Sequence, residues 1–131
     1  MTTQVNKPNG RGVQRIIKAT QCSWQGFKAA WRNEAAFRQE LVLVMVLLPL
    51  SFLLCQSRNH WLLMFASLLL VIFAELVNSA LEALADAVSL SFHPLIGRAK
   101  DMGSALVFVA LVLLMVVWGD AIWRYISVMP Q

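Results

Sequence analysis

Residues 75 to 86 read Glu75-Leu-Val-Asn78-Ser79-Ala-Leu-Glu82-Ala-Leu-Ala-Asp86, three carboxylates and a Glu-adjacent pair of small polar side chains placed straight after an apolar run, Trp61 to Ala74. At about 100° per residue a helix brings Asn78, Ser79, Glu82 and Asp86 within roughly 60° of Glu75, so one face carries every polar group. Residues of the same kind recur elsewhere: Glu34 and Glu40 precede one apolar stretch, and Arg98, Lys100 and Asp101 precede another. Carboxylates with a lysine suit a hard cation such as Mg²⁺, which takes one or two carboxylates together with phosphate oxygens. Lys100 is able to neutralise phosphate charge, and a desolvated carboxylate to take a proton from an alcohol. The competing explanation is that these groups only staple helix ends together through ion pairs. Glu34 and Arg38 have the i,i+4 spacing for such a pair, whereas Glu75 has no basic residue within one turn.

The elements that must position these groups follow from composition. Of 131 residues 59% are hydrophobic and the mean hydropathy is +0.65, more apolar surface than a water-soluble domain of this size can hide. The expected fold is an all-α membrane protein with three transmembrane helices, at about residues 35–55, 61–84 and 102–122, within a unit covering 34–131. Residues 15–33 place Ile16, Ile17, Trp24, Phe27 and Trp31 on one face and Lys18, Gln21, Gln25 and Arg32 on the other, the pattern of an amphipathic surface helix. Residues 1–14, with Pro8 and two glycines by Gly12 counted from Gly10, read as a flexible tail. Pro49 should kink the first span. Lys7, Arg11, Arg15, Lys18, Lys28, Arg32 and Arg38 precede that span, against Arg58 alone in the turn that follows it. This bias predicts a cytoplasmic N-terminus and Val88–Lys100 loop, with the C-terminus outside. The first span lacks a small-residue cleavage site and is retained. Cys22 and Cys55 fall on opposite sides of the bilayer or at its far edge and cannot pair. His60 and His93 are isolated.

Depth bears on chemistry. If Trp61 marks the outer interface, Glu75 lies ~21 Å along the axis and Glu82 ~31 Å, so the polar stripe stops at the cytoplasmic edge. An ion or proton pathway needs carboxylates near the midplane with a continuation, and the third span is uninterrupted apolar from Ala105 to Trp118. That placement argues against a cation or proton pathway and leaves two readings open, a metal-bound nucleotide meeting a membrane alcohol and a structural membrane subunit whose charges staple helix ends. No Walker A or protein-kinase loop is present, so nucleotide chemistry here requires another architecture. No aromatic and basic nucleic-acid motif is present either.

Three blocks carry a resemblance to a known family: Arg15-Ile-Ile-Lys18-Ala; Ala29-Ala-Trp31-Arg-Asn33-Glu34-Ala-Ala-Phe37-Arg38-Gln39-Glu40; and Glu75-Leu-Val-Asn78-Ser79-Ala-Leu-Glu82 with Gly97-Arg-Ala-Lys100-Asp101-Met-Gly103-Ser104-Ala. The chain resembles the small prokaryotic integral-membrane diacylglycerol kinases, from about Arg15 to the end of the third span. The resemblance implies a homotrimer in the bacterial inner membrane that transfers the γ-phosphate of Mg·ATP to diacylglycerol, giving phosphatidic acid. It further implies Glu75 as general base, Glu34 and Glu82 as ligands of the Mg²⁺ carried by ATP, and Asn78, Lys100, Asp101 and Arg15 as nucleotide contacts. Trp24, Glu40 and Ser104 would organise the lipid side, next to Glu75. Related proteins phosphorylate undecaprenol, which is the alternative within the enzyme class; the blocks near Arg15 and Gly97 favour diacylglycerol. The chain departs from the pattern at Cys22, where an aromatic against the nucleotide is expected, at Ala85, and in the loop Ser91-Phe92-His93-Pro94.

Overall fold

The computed structural model describes residues 12–91 and 93–128, which form four helices: α1 (Val13–Asn33), α2 (Ala35–Leu54), α3 (Arg58–Val88) and α4 (Pro94–Val128). Most of the expected tail, and Phe92 in the divergent loop, lie outside the described residues. Three of the helices, α2, α3 and α4, are long and apolar enough to cross a membrane. At ~1.5 Å per residue α3 is ~46 Å long and α4 ~52 Å, against a hydrocarbon core of ~30 Å, so both extend past the bilayer.

Local chemistry marks the starts of α1, α3 and α4, and in α3 and α4 a side chain satisfies one of the first amides. Gly12, at φ 63°, turns the chain into α1 with a backbone geometry that side-chain-bearing residues avoid. Ser57 caps α3, its hydroxyl accepting from the His60 amide at 3.2 Å. His93 caps α4 through Nδ1, which accepts from the Leu95 amide at 3.2 Å, and Pro94 supplies the first helical residue with its φ already set. That start shortens the Val88–Lys100 loop expected from composition: Arg98 and Lys100 stand on the opening turns of α4, well before residue 102. Both histidines therefore have local structural work, His60 also accepting from the Gln56 amide at 3.3 Å.

The core is a seam between the antiparallel α3 and α4, the most extensive helix pair, with α2 against α3 beside it. On α3 the buried positions run Met64, Ser67, Leu68, Val71, Ala74, Glu75, Asn78 and Ser79, and on α4 Gly103, Ala110, Leu114, Val117, Trp118 and Ala121. The alternating three- and four-residue steps are those of left-handed helix packing. Small residues at Ala74, Ala110 and Ala121 let the backbones approach, as packing between membrane helices favours. The opposite faces expose Val42, Met45, Val46, Leu69, Phe73, Phe108, Val109 and Val116, a surface suited to lipid. Cys22 and Cys55 are free thiols.

Candidate active site

The seam changes character along its length without leaving its face. Through Ala74, Ser67 apart, α3 offers apolar side chains to α4; from Glu75 the same register offers carboxylate, amide and hydroxyl. Glu75 is 2% exposed, Asn78 and Ser79 9% each. Asn78 Nδ2 donates to Glu82 Oε1 at 3.2 Å, one turn on. The Ser79 hydroxyl lies beside the Glu75 carboxyl without a formed hydrogen bond.

Glu34 reaches this group because the chain breaks there. It is the one residue between α1 and α2, in extended conformation (φ −108°, ψ 115°), its amide donating to the Ala30 carbonyl at 2.9 Å. The i,i+4 ion pair with Arg38 anticipated as the plain explanation of both residues is absent. Arg38 Nη1 instead donates to the carbonyls of Trp31 at 2.8 Å and Arg32 at 3.4 Å, capping α1 at its C-terminus, where a cation and free carbonyls complement one another. The Glu34 carboxylate, left unpaired, stands close enough to Glu75 for their charges to interact, as does Glu82, and Glu40 of α2 faces Glu75 in the same way. A cleft of about 250 Å³ opens between the end of α1 and α3, with Glu34 and Ser79 on its walls. Buried oxygens without a hydrogen-bond partner concentrate here: Glu40 Oε2, Asn78 Oδ1 and Ser79 Oγ.

From α4, Lys100 Nζ meets Asp86 Oδ1 at 2.5 Å, with Glu82 also within electrostatic range. Asp101 and Ser104 are exposed beside it. Arg15 and Trp24 are not brought to the carboxylates in a single chain. Arg15 lines a groove made only of α1 and its Gly12 cap. Trp24 is 62% exposed with Lys28 Nζ over its ring, on a cleft of about 480 Å³ that it shares with Phe27, Trp31, Arg32, Phe37 and Leu41.

Four acidic side chains converging on the C-terminal half of a membrane-length helix, with a lysine opposite, is an arrangement that burial alone disfavours and that calls for cationic or proton-bearing occupants. The family model of prokaryotic diacylglycerol kinase matches residues 21–122. The chain belongs to the prokaryotic diacylglycerol kinase family. It is 54% identical over 107 residues to a diacylglycerol kinase of Pseudomonas aeruginosa, covering 82% of this chain and 87% of the relative. It is 43% identical over 117 residues to that of Escherichia coli K12 (89% and 96% covered), and 45% over 112 residues to that of Haemophilus influenzae (86% and 95%). As a diacylglycerol kinase family member it is a bacterial membrane enzyme, a phosphotransferase with an alcohol acceptor and ATP as the phosphate source.

Among the described residues no group of three or more His, Cys, Asp or Glu is arranged as a metal cage. The site nonetheless fits a cation that arrives on a nucleotide, since phosphate oxygens then supply most of its ligands and one or two carboxylates suffice. Spacing places Asp86 on the polar face but does not show its pairing with Lys100, and it does not mark Gly103 beneath Asn78. The Lys100–Asp86 pair joins α3 to α4 across 14 residues, and nothing local marks Gly103.

Proposed function

We propose that this chain transfers the γ-phosphate of Mg·ATP to the free hydroxyl of 1,2-diacylglycerol at the cytoplasmic face of the inner membrane, giving phosphatidic acid and ADP. The observation that carries the reading is the near-complete burial of Glu75 among Glu34, Glu40 and Glu82, in the C-terminal half of α3 and in a chain of this family. Glu75 accepts the hydroxyl proton as that oxygen bonds to the γ-phosphorus, and the bond from phosphorus to the β-bridging oxygen breaks. The phosphoryl group passes directly, with no phospho-enzyme. Glu34 and Glu82 hold the Mg²⁺, which neutralises charge on the phosphates when bound. Lys100 exchanges Asp86 for phosphate oxygens; Asn78, Asp101 and Arg15 complete the nucleotide contacts. The Trp24 cleft, apolar with Lys28 and Arg32 at its rim, suits a lipid beside the interface, with Glu40 and Ser104 ordering the approach to Glu75.

The working unit is a homotrimer with sites shared between subunits. The exposed positions of Arg15 and Trp24, away from Glu75 in one chain, support that arrangement, because a neighbour's α1 would bring them in. The excess of Lys and Arg before α2 supports a cytoplasmic N-terminus and a periplasmic C-terminus.

The test is transfer of labelled γ-phosphate by the purified full chain in mixed micelles, to dioleoylglycerol and to undecaprenol in parallel. Phosphatidic acid is expected, and Glu75→Gln should lower kcat by about 10²–10⁴ while nucleotide binding persists. Full activity of that variant overturns the base assignment. Phosphorylation of undecaprenol in preference to the glyceride overturns the substrate.

A further inference from the structure

Gly103 of α4 approaches Asn78 of α3 more closely than a Cβ at residue 103 would permit with the Asn78 amide where it stands. A Cβ placed on Gly103 would lie 2.5 Å from Asn78 Oδ1, 3.5 Å from its Cγ and 3.4 Å from Leu81 Cδ1. The other glycines inside helices, Gly26, Gly97 and Gly119, have nothing within 4 Å of the same point. Gly103 is not at positive φ, so backbone conformation does not call for glycine, and glycine is a poorer helix former than alanine. What alanine would cost at this position is the space taken by the Asn78 amide.

That amide has two ends with different fates. Nδ2 donates to Glu82 Oε1 at 3.2 Å, while Oδ1 is buried against Gly103 with no N–H or O–H donor. A planar amide whose oxygen end is held against the α4 backbone can present its NH₂ in few directions, and the direction it takes is toward Glu82. A carboxylate with one oxygen engaged by an amide has its plane set and its other oxygen directed outward, which is how neighbours of a metal ligand tune its affinity.

We infer that Gly103 is a positioning residue: its missing Cβ lets α4 close on the Asn78 amide, which orients the Glu82 carboxylate for the cation on the nucleotide. The contact is read from geometry alone, whereas its consequence rests on the role proposed for Glu82. With a methyl group at residue 103, either the amide leaves its rotamer or α4 moves off α3. In the first case the Asn78 to Glu82 hydrogen bond is lost; in the second both partners stay on α3, but the amide loses the α4 backbone that fixes its direction.

The experiment is a double-mutant cycle on the full chain in detergent: wild type, Gly103→Ala, Asn78→Ala and the double variant. Two readouts are taken, the thermal midpoint without nucleotide and the binding of Mn²⁺ with a non-hydrolysable ATP analogue, followed by electron paramagnetic resonance. The thermal midpoint should fall in Gly103→Ala and recover in the double variant, where alanine at residue 78 vacates the space. Metal affinity should fall about 10-fold in each single variant, with the double variant no worse than Asn78→Ala. In assays the loss should appear as a raised KM for Mg²⁺ more than a lowered kcat. Equal effects of Gly103→Ala in both Asn78 backgrounds, or unchanged metal affinity, overturn the proposal. If Gly103→Ala fails to fold, folding of the double variant upholds the contact and its failure overturns it. Absence of lipid phosphorylation by the wild type would sink the reading of the site while leaving the thermal coupling between Gly103 and Asn78 as a separate result.

Discussion

The two ends of the α3 seam bury polar groups under the same constraint and resolve it in opposite ways. At the Trp61 end, Trp118 Nε1 donates to Ser67 Oγ at 3.3 Å across the α3–α4 interface, and Ser67 Oγ donates to the Met64 carbonyl at 2.7 Å. Trp61 Nε1 donates to Ser51 Oγ at 3.0 Å across α2–α3, and Ser51 Oγ donates to the Leu48 carbonyl at 2.6 Å. Both hydroxyls give and accept, so neither needs anything from outside the chain. At the Glu75 end, Glu40, Asn78 and Ser79 keep buried oxygens without partners, and carboxylates face carboxylates. In a low-dielectric setting an unmet polar group is costly. Apart from the buried His60 Nε2, which has no hydrogen-bond partner, the first region is thus finished by folding, whereas the second, where such atoms gather, is finished only by what binds to it. A buried polar residue is informative about function through what it lacks more than through its burial.

The sharpest way to break this comparison is to remove a carboxylate from the unfinished end. Glu82→Gln keeps an acceptor for Asn78 while removing the charge proposed to meet the cation. The Mg²⁺ concentration for half-maximal activity should rise about 10–100-fold. The thermal midpoint of the apo protein should hold or rise, because a charge facing Glu75 has gone. A large drop in midpoint would mean that Glu82 supports the fold, and the contrast between the two ends would fail.

The matching change at the finished end is Ser67→Ala, which leaves the Trp118 indole N–H buried without an acceptor. Hydrogen bonds between membrane helices are worth on average ~0.6 kcal/mol and up to about 2. The cost should therefore appear as a lower unfolding midpoint in a denaturing-detergent titration, with activity per folded molecule unchanged. Trp118→Phe in the Ser67→Ala background should add little through the hydrogen bond, since the acceptor is already gone. An activity loss at constant stability would place Ser67 with the reactive end instead.

How far this division is legible in the sequence depends on the length scale of its cause. Helix periodicity is local and strong, so the three membrane-length helices, the amphipathic α1 and the single polar face from Glu75 to Asp86 all follow from spacing. The boundary at Pro94 also has a local sign, His-Pro ahead of an apolar run, yet the charges at Arg98 and Lys100 resemble loop composition and hide it. What spacing cannot show is which polar atoms find partners in other helices. Glu34 and Arg38 satisfy the i,i+4 rule, but the chain leaves helical geometry at Glu34, and Arg38 turns to the carbonyls at the end of α1. Ser67 and Trp118 are 51 residues apart in sequence and acquire their relation only when α3 and α4 pack. Gly103 looks like any other helical glycine until Asn78 is set against it.

The smallest effect, and the finest test of the contrast, lies at the boundary between the two kinds of region. The Lys100–Asp86 pair is satisfied, as in the finished end, yet it is solvent-exposed on both sides, 39% and 52%. Ion pairs of that exposure contribute little to stability, so Asp86→Asn should leave it nearly unchanged. Its effect should be on the nucleotide. If phosphate must displace Asp86 from the Lys100 ammonium, removing the carboxylate's charge removes a competitor, and the KM for Mg·ATP should fall about two- to five-fold at low salt. Screening weakens the competition in the wild type as well, so the difference should shrink as ionic strength rises. A raised KM would instead make Asp86 the group that holds Lys100 in place for phosphate, and would move this pair into the part of the site that folding has already finished.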